Sequence, residues 1–413
     1  MNVHLTKKPR RAPRRKSAAR PLAVTAPAAP GPRHFTPVLC VTGDAGPALW
    51  GKGPGERLTQ QFAKVGLTET IPLAAAATHN GPVVVIRADA VIDQPLVSVL
   101  LKRPNLLLIG DGADGPVPVA AQVQGIQAAS IAEVLAGKRE TTPDLKLLRR
   151  TPAELDADFW QDLRKRETPY AMAVSPANRA AVEWRMFMGT YKGATDLVTK
   201  HLWPVPAFHV TRWLAPRGVS PNMVTTVGAA LMLLAFWLFF EGHFLTGIAA
   251  AWAMTFLDTV DGKLARTTLT SSKWGNLFDH GIDLLHPPFW YLAWAFGLAA
   301  TGIVWPDNLF WWVIGAIFGG YILQRIFEGI ALHSLGMQIH IWRPIDTLFR
   351  QVTARRNPNL LLLTLFALAG KPDWGLIAVA LWTVICLVLH GLQLVQALAA
   401  RRHGPLTSWM TAK

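Results

Sequence analysis

Only two of the 413 residues are cysteine, Cys40 and Cys386. They stand in unlike contexts with no partner nearby, which excludes a disulfide framework and a cysteine-based zinc site. Charged residues are also scarce, at 16% of the chain against roughly 25% in an average soluble domain. The deficit is uneven. Nearly all the long uncharged runs follow Pro221, a pattern that suits a membrane half rather than a large soluble core. The first 35 residues contain no acid. They also lack the apolar run and cleavage site of a secretory signal.

Positive charge is in excess, with 41 Lys and Arg against 26 Asp and Glu and a net charge of +15. Such a value raises nucleic acid as a partner. Here the cations sit in the N-terminal tail and between apolar runs, a placement that favours anionic lipid and membrane topology. No nucleic-acid partner is therefore expected. Residues 1–35, rich in Pro, Ala, Arg and Lys, cannot bury enough apolar surface to fold and read as a disordered basic tail. Residues 36–150 read as a small soluble α/β domain. Stretches 37–43, 83–86 and 105–110 have the look of short buried strands, separated by amphipathic helices such as 56–65 and 94–101. That alternation predicts a parallel sheet. Residues 151–220 read as a helical linker. It begins with a capped, charged helix over 151–166 and contains an interfacial amphipathic helix over 195–214, interrupted near Pro204 and Pro206.

The membrane half spans 221–400. Segments 223–240, 244–257, 282–304, 309–324 and 375–400 are candidate spans, and 360–370 is a shorter sixth. If all six cross, Lys263, Arg266, Lys273, Arg343, Arg350, Arg355, Arg356, Arg401, Arg402 and Lys413 fall on one side, and Lys371 alone on the other. That asymmetry supports six transmembrane helices in the cell (inner) membrane. Both termini, including a short tail over 401–413, are then cytoplasmic. The expected architecture is an all-α membrane domain of six helices, preceded by the α/β domain and the tail.

Residues 256–285 concentrate the chemistry. Asp258 and Asp261 are three apart near the cytoplasmic end of the second segment. Asp279 and Asp283 are four apart at the start of the third. Both spacings place the carboxylates on one helix face. Four carboxylates at a membrane boundary repel and are costly to bury. The first pair also faces the negative end of its helix dipole. A cation must compensate, and all-oxygen ligands suit Mg²⁺, with Mn²⁺ also possible. Gly262, Ala265 and Gly275 leave room for a ligand or a close backbone, and Arg266 is placed to pair with a phosphate or an acid.

The pattern Asp-x2-Asp-Gly-x2-Ala-Arg-x8-Gly-x3-Asp-x3-Asp, occupied by Asp258, Asp261, Gly262, Ala265, Arg266, Gly275, Asp279 and Asp283, resembles that of the CDP-alcohol phosphotransferase family. Residues 220–225 are similar to the segment that opens the family's first helix, so the likeness covers about 190–400. It implies Asp258, Asp261 and Asp279 as metal ligands. Asp283 would complete the site and act as general base on the acceptor hydroxyl. Gly262 and Ala265 would pack against the CMP part, and Arg266 would order the site. It also implies a CDP-alcohol donor, a hydroxyl acceptor, membrane lipid as partner and a homodimer. CDP-diacylglycerol is the favoured donor. The alternatives are phosphocholine, phosphoethanolamine or phosphoinositol transfer from a soluble CDP-alcohol. A magnesium transporter and an inactive scaffold stand further off, because the acids lie at one membrane face and the acid set is intact.

Finer features divide. Residues 270–283 resemble choline/ethanolaminephosphotransferases, whereas 192–196 resemble archaeal-type inositol-phosphate transferases. His280 and His286 are read as packing or interfacial histidines, with substrate contact the competing role. Arg325 and Glu328 form an internal ion pair or offer a phosphate-binding arginine. The stretch from Arg343 to Arg356, with Trp342 and Phe349, is expected to be solvated and interfacial. Residues 83–93 resemble the strand and metal-binding acid of sugar nucleotidyltransferases, with Asp89 in the key place. The altered glycine-rich opening at 43–57 implies a degenerate domain.

Overall fold

The chain folds into a mixed sheet domain followed by a bundle of long helices. The computed structural model describes residues 36–140, 146–155, 159–160 and 163–411, apart from the side chains of 273, 276, 279 and 280. The basic tail over 1–35 therefore lies outside the described residues.

The first half is a three-layer sandwich. Its strands are β1 (Val38–Thr42), β2 (Pro82–Arg87), β3 (Ala90–Ile92), β4 (Leu106–Asp111), β5 (Pro116–Gln124), β6 (Leu148–Arg150) and β9 (Ala171–Ala173). Their spatial order is β1-β2-β5-β4-β9-β3, with β6 beside β4. Four of the helices are α1 (Pro54–Ala63), α2 (Leu73–Ala76), α3 (Gln94–Lys102) and α4 (Ala128–Leu135). Leu58 and Phe62 of α1 and Leu96 and Leu100 of α3 cover one face of the sheet. Ala76 of α2 and Ile131 and Leu135 of α4 cover the other. Double coverage explains why Val83–Ile86 form an unbroken apolar run instead of an alternating one.

Three expectations are corrected here. The sheet is mixed: β1 runs parallel to β2, but β5 is antiparallel to both β2 and β4. It also extends beyond residue 150, because β9 pairs with β3 and β4. The helix expected over 151–166 is absent among the described residues. Thr151 and Glu154 do form a capping box, but it closes a single 3-10 turn, Pro152–Glu154. A two-stranded hairpin follows, β7 (Phe159–Trp160) with β8 (Lys165–Arg166). A cap signal alone does not supply the apolar stripe that sustains a helix.

Helices α5 (Arg179–Gly189) and α6 (Pro204–Leu214) lead into the bundle. Pro204 opens α6, so the proline marks a helix start. The long helices are α7 (Pro221–Phe240), α8 (Phe244–Thr267), α9 (Lys273–Ala300) and α10 (Asp307–Leu335); after the short α11 (Pro344–Phe349) come α12 (Arg356–Leu368) and α13 (Pro372–Arg401). Three of them, α7, α10 and α13, are long and apolar enough to cross a membrane. The other expected spans differ in kind. α8 and α9 are long but carry the acids and adjacent cations, and the 13 residues of α12 reach only about 20 Å.

Within the bundle α7 packs on α8 and α9, and α10 packs on α13. Tryptophan provides many of the joints, since a buried indole N–H needs a partner. Trp290 donates to the Met232 carbonyl, Trp294 to the Pro372 carbonyl, and Trp252 to the Thr364 hydroxyl, each at 3.0 Å. The C-terminal segment is also packed: Trp409 donates through its indole to Thr347, and Ser408 to the Ile341 carbonyl. Two prolines, Pro287 and Pro288, lie inside α9. Pro288 has no N–H to offer the Leu284 carbonyl, and the Tyr321 hydroxyl supplies that bond at 2.8 Å.

The crossing of α7 and α9 is tightest at Gly297, where an added Cβ would lie 1.9 Å from the Phe239 carbonyl oxygen. Gly297→Ala should force the helices apart and destabilise the bundle by about 1–3 kcal/mol. Thermal unfolding in detergent checks this, and an unchanged midpoint would refute the close crossing.

Candidate active site

Asp258 and Asp261 lie within the last ten residues of α8, and Asp283 lies 11 residues into α9. The turn between them is built locally. Thr268 bonds back to Leu264 through its backbone N–H and its hydroxyl. Leu269 takes a positive φ of 60°, and the Ser272 hydroxyl caps α9 by accepting from the Gly275 N–H at 3.0 Å. The chain thus reverses within five residues and returns α9 along the acid-bearing part of α8. One cleft is lined by Asp258, Asp261 and Asp283 together with Thr225, Gly228, Ala229, Met254 and Ile282.

The three carboxylates are held differently. Asp261 is 4% exposed. One of its oxygens accepts a 2.5 Å hydrogen bond from the Thr225 hydroxyl of α7, and the other is buried with no hydrogen-bond partner. Asp258 and Asp283 are bridged by one guanidinium: Arg356 donates to Asp258 at 2.5 Å and, through its other terminal nitrogen, to Asp283. Asp279 is placed by its backbone in the same helix, one turn before Asp283, and its side chain lies outside the described residues, as does that of His280.

Arg356 corrects the expectation for the stretch from Arg343 to Arg356. Arg350 and Asp346 are buried, and the Arg356 side chain is only 13% exposed. The signal was available as two adjacent arginines opening a short apolar helix. Such charges are rarely left in a membrane domain without acids to meet. Its position is supported by the next residue, Asn357, whose side-chain amide donates to Asp196 at 3.0 Å.

The neighbouring Arg355 joins a second cluster. Arg325 and Glu328 are paired at 2.9 Å, but the same carboxylate also takes Arg355 and, at 3.0 Å, His340. Arg350 and Arg164 stand within electrostatic reach, so cations outnumber the acid. Burial pushes His340 down to about 3, which keeps it neutral there.

The small residues serve packing first. An added Cβ at Gly262 would lie 2.9 Å from Arg266 Nη2, and one at Gly275 would lie 2.7 Å from Asn222 Oδ1. Ala265 anchors the turn, its carbonyl accepting from the Thr270 N–H and the Ser271 hydroxyl. His286 bonds the Ile282 carbonyl at 2.7 Å and stacks edge-on to Trp290. It also lines an apolar groove of about 650 Å³ between α7 and α9, with Met232, Leu233, Phe236, Leu285 and Phe289. In the α/β domain Arg87 forms a two-pronged pair with Asp89 at 2.7 and 2.8 Å.

Among the described residues, no three acids or histidines stand close enough to hold a metal as they are placed. The donor set nevertheless fits a hard divalent cation. All the candidate groups are carboxylates, and one buried oxygen of Asp261 has no hydrogen-bond partner, which leaves it open to a cation. Arg356 supplies part of that charge to the other two.

Residues 218–355 match the family model described as CDP-alcohol phosphatidyltransferase; the match stops one residue before Arg356. The chain is 36% identical over 117 residues to archaetidylinositol phosphate synthase of Pyrococcus horikoshii, covering 28% of this chain and 60% of that one. It is 37% identical over 125 residues to choline/ethanolaminephosphotransferase 1 of Arabidopsis thaliana, covering 27% and 31%. The chain therefore spans less than two thirds of either relative. The crystal structure of Mycobacterium tuberculosis phosphatidylinositol phosphate synthase with CDP-DAG bound aligns over 50% of this chain and 96% of that one, at 17% identity and a TM-score of 0.35.

Replacing Arg356 by Met should remove the cation that Asp258 and Asp283 share, at a cost of about 2–3 kcal/mol after allowance for the part-exposed Asp283. Added Mg²⁺ should then raise the melting temperature more in Arg356→Met than in the wild type. An equal Mg²⁺ response in the two proteins would show that Arg356 does not stand in for a cation.

Proposed function

We propose, from the premise that this chain carries a CDP-alcohol phosphatidyltransferase domain over residues 218–355, that it transfers a phosphatidyl group from CDP-diacylglycerol to the hydroxyl of a polar alcohol and releases CMP, in phospholipid or polar-lipid synthesis. The observation that carries this reading is the continuity of two surfaces. The aspartate cleft and the apolar groove share Ile282. A substrate with a charged diphosphate and hydrocarbon chains matches both surfaces at once.

In the reaction the acceptor oxygen bonds to the phosphorus that carries the diacylglycerol, and the bond from that phosphorus to the bridging oxygen breaks. CMP departs with the bridging oxygen. Asp283 takes the hydroxyl proton; it is the most exposed of the paired acids, with 39% of its side chain accessible against 20% for Asp258. Arg356 donates to Asp283 and orients its carboxylate. Thr225 fixes Asp261 through its hydroxyl. Asp258, Asp261 and Asp279, with Asp283 beside them, would hold Mg²⁺ or Mn²⁺, which would supply neutralising charge to the diphosphate. The surplus cations around Glu328, next to Arg356 in the chain through Arg355, favour an acceptor that is itself anionic, such as a phosphorylated polyol.

A second reading keeps the site and exchanges the substrates: a soluble CDP-alcohol donates and a lipid alcohol occupies the groove. The part-match to choline/ethanolaminephosphotransferase 1 favours it.

Purified protein with Mg²⁺ should release CMP from CDP-diacylglycerol when a phosphorylated polyol is present. Asp283→Asn should lower the rate by about 10³-fold. Asp89→Asn, in the α/β domain, should leave the rate unchanged. CMP release from CDP-choline or CDP-ethanolamine alone would select the second reading. Absence of CMP from every donor would overturn both.

A further inference from the structure

A charged residue of the α/β domain bonds to the end of the helix that carries Asp258 and Asp261. Arg57 of α1 is 5% exposed. Its guanidinium donates to the Thr267 carbonyl oxygen at 2.5 Å, across 210 residues of sequence. Thr267 is the last residue of α8, the helix that carries Asp258 and Asp261. Burial pulls the Arg57 guanidinium down to about 10. Among the described residues it has no salt-bridge partner, so the buried cation is held against the carbonyl end of a helix.

That placement has a physical meaning. The last carbonyls of a helix lack intrahelical partners and carry the negative end of its dipole. A cation there satisfies one of them and offsets part of the field that works against two aspartates near the same end. The surroundings are firm. Val260 and Leu264 of α8 belong to one buried cluster with Trp50, Val91 and Met172 of the α/β domain and with Phe187 and Phe208 of α5 and α6. Lys263, itself buried, stacks over Tyr191 and donates to the Thr190 carbonyl at 3.3 Å. The end of α8 is therefore fixed from the α/β side, and the turn that returns the chain to Asp279 and Asp283 starts directly beyond it.

We propose that Arg57 is a positioning residue for the aspartate site, holding the carbonyl end of α8 so that the turn at 268–272 sets α9 at the distance the reaction needs. The inference rests on the transferase reading above and assigns the α/β domain a task as a brace.

The test compares full-length wild type, Arg57→Ala and Arg57→Lys in CMP release and in hydrogen exchange of peptides covering 262–272. Arg57→Ala should lower kcat about tenfold while KM for the CDP-alcohol stays within about twofold, because the donor contacts remain. Exchange should quicken over 262–272 and stay unchanged in the sheet. Arg57→Lys, which keeps a cation at the carbonyl, should recover most of kcat and of the protection. Wild-type kcat in Arg57→Ala would overturn the proposal. So would exchange that quickens throughout 36–174, which would mark general loosening of the domain. If the wild type releases no CMP, the transferase reading fails; exchange then decides the brace separately, and unchanged protection of 262–272 in Arg57→Ala overturns it.

Discussion

Carboxylates crowded at the edge of an apolar bundle repel one another, and the molecule is arranged around containing that repulsion. Asp258 and Asp283 come from two helices that would be driven apart if left to themselves. Arg356 from a third helix bridges them, so α8, α9 and α12 meet at one guanidinium. Asp261, which Arg356 does not bond, takes its hydrogen bond from Thr225 on α7. Four helices are thereby committed to a single cluster of charge. The Trp joints, the tight crossing at Gly297 and the proline-bearing α9 hold those helices where the cluster requires them.

The containment is incomplete in a useful way. One oxygen of Asp261 has no partner, and Arg356 offers one guanidinium to two acids. A structure that only needed stability would replace such a cluster with well-packed apolar residues. The residual negative charge, set beside a cation-rich patch at Arg325, Arg350 and Arg355 and an apolar groove at Phe236 and Phe289, gives three adjoining surfaces of different chemistry.

How much of this was legible in the sequence depended on spacing. The strands near 38–42 and 82–87 and the long apolar helices follow from unbroken hydrophobic runs, and the aspartate pairs follow from their i, i+3 and i, i+4 intervals. Antiparallel β5 was missed because a strand buried on both faces carries no mark of its direction. Strand β9 was missed because three residues, Ala171–Ala173, give too short a pattern. The capping box at Thr151 was read correctly as a local bond and wrongly as the start of a helix. The partners of Arg356 and Arg57 could not be read from the sequence, for a common reason. They lie 73 to 210 positions away in the chain, and a basic residue at the edge of an apolar run reads as a topological charge until the fold shows which acid or carbonyl it meets.

The prolines in α9 carry a mechanical consequence. A helix whose backbone bond to Leu284 is replaced by the Tyr321 hydroxyl has a joint there, with a side chain from a neighbouring helix as its pin. The arm on the amino side of that joint bears Asp279 and Asp283 and also Leu277, Phe278 and Gly281 of the groove wall. Tilting the arm moves both together. A wider groove and a displaced Asp283 are thus two readings of one hinge angle, and a bulky chain seated in the groove bears on that carboxylate by leverage rather than by contact.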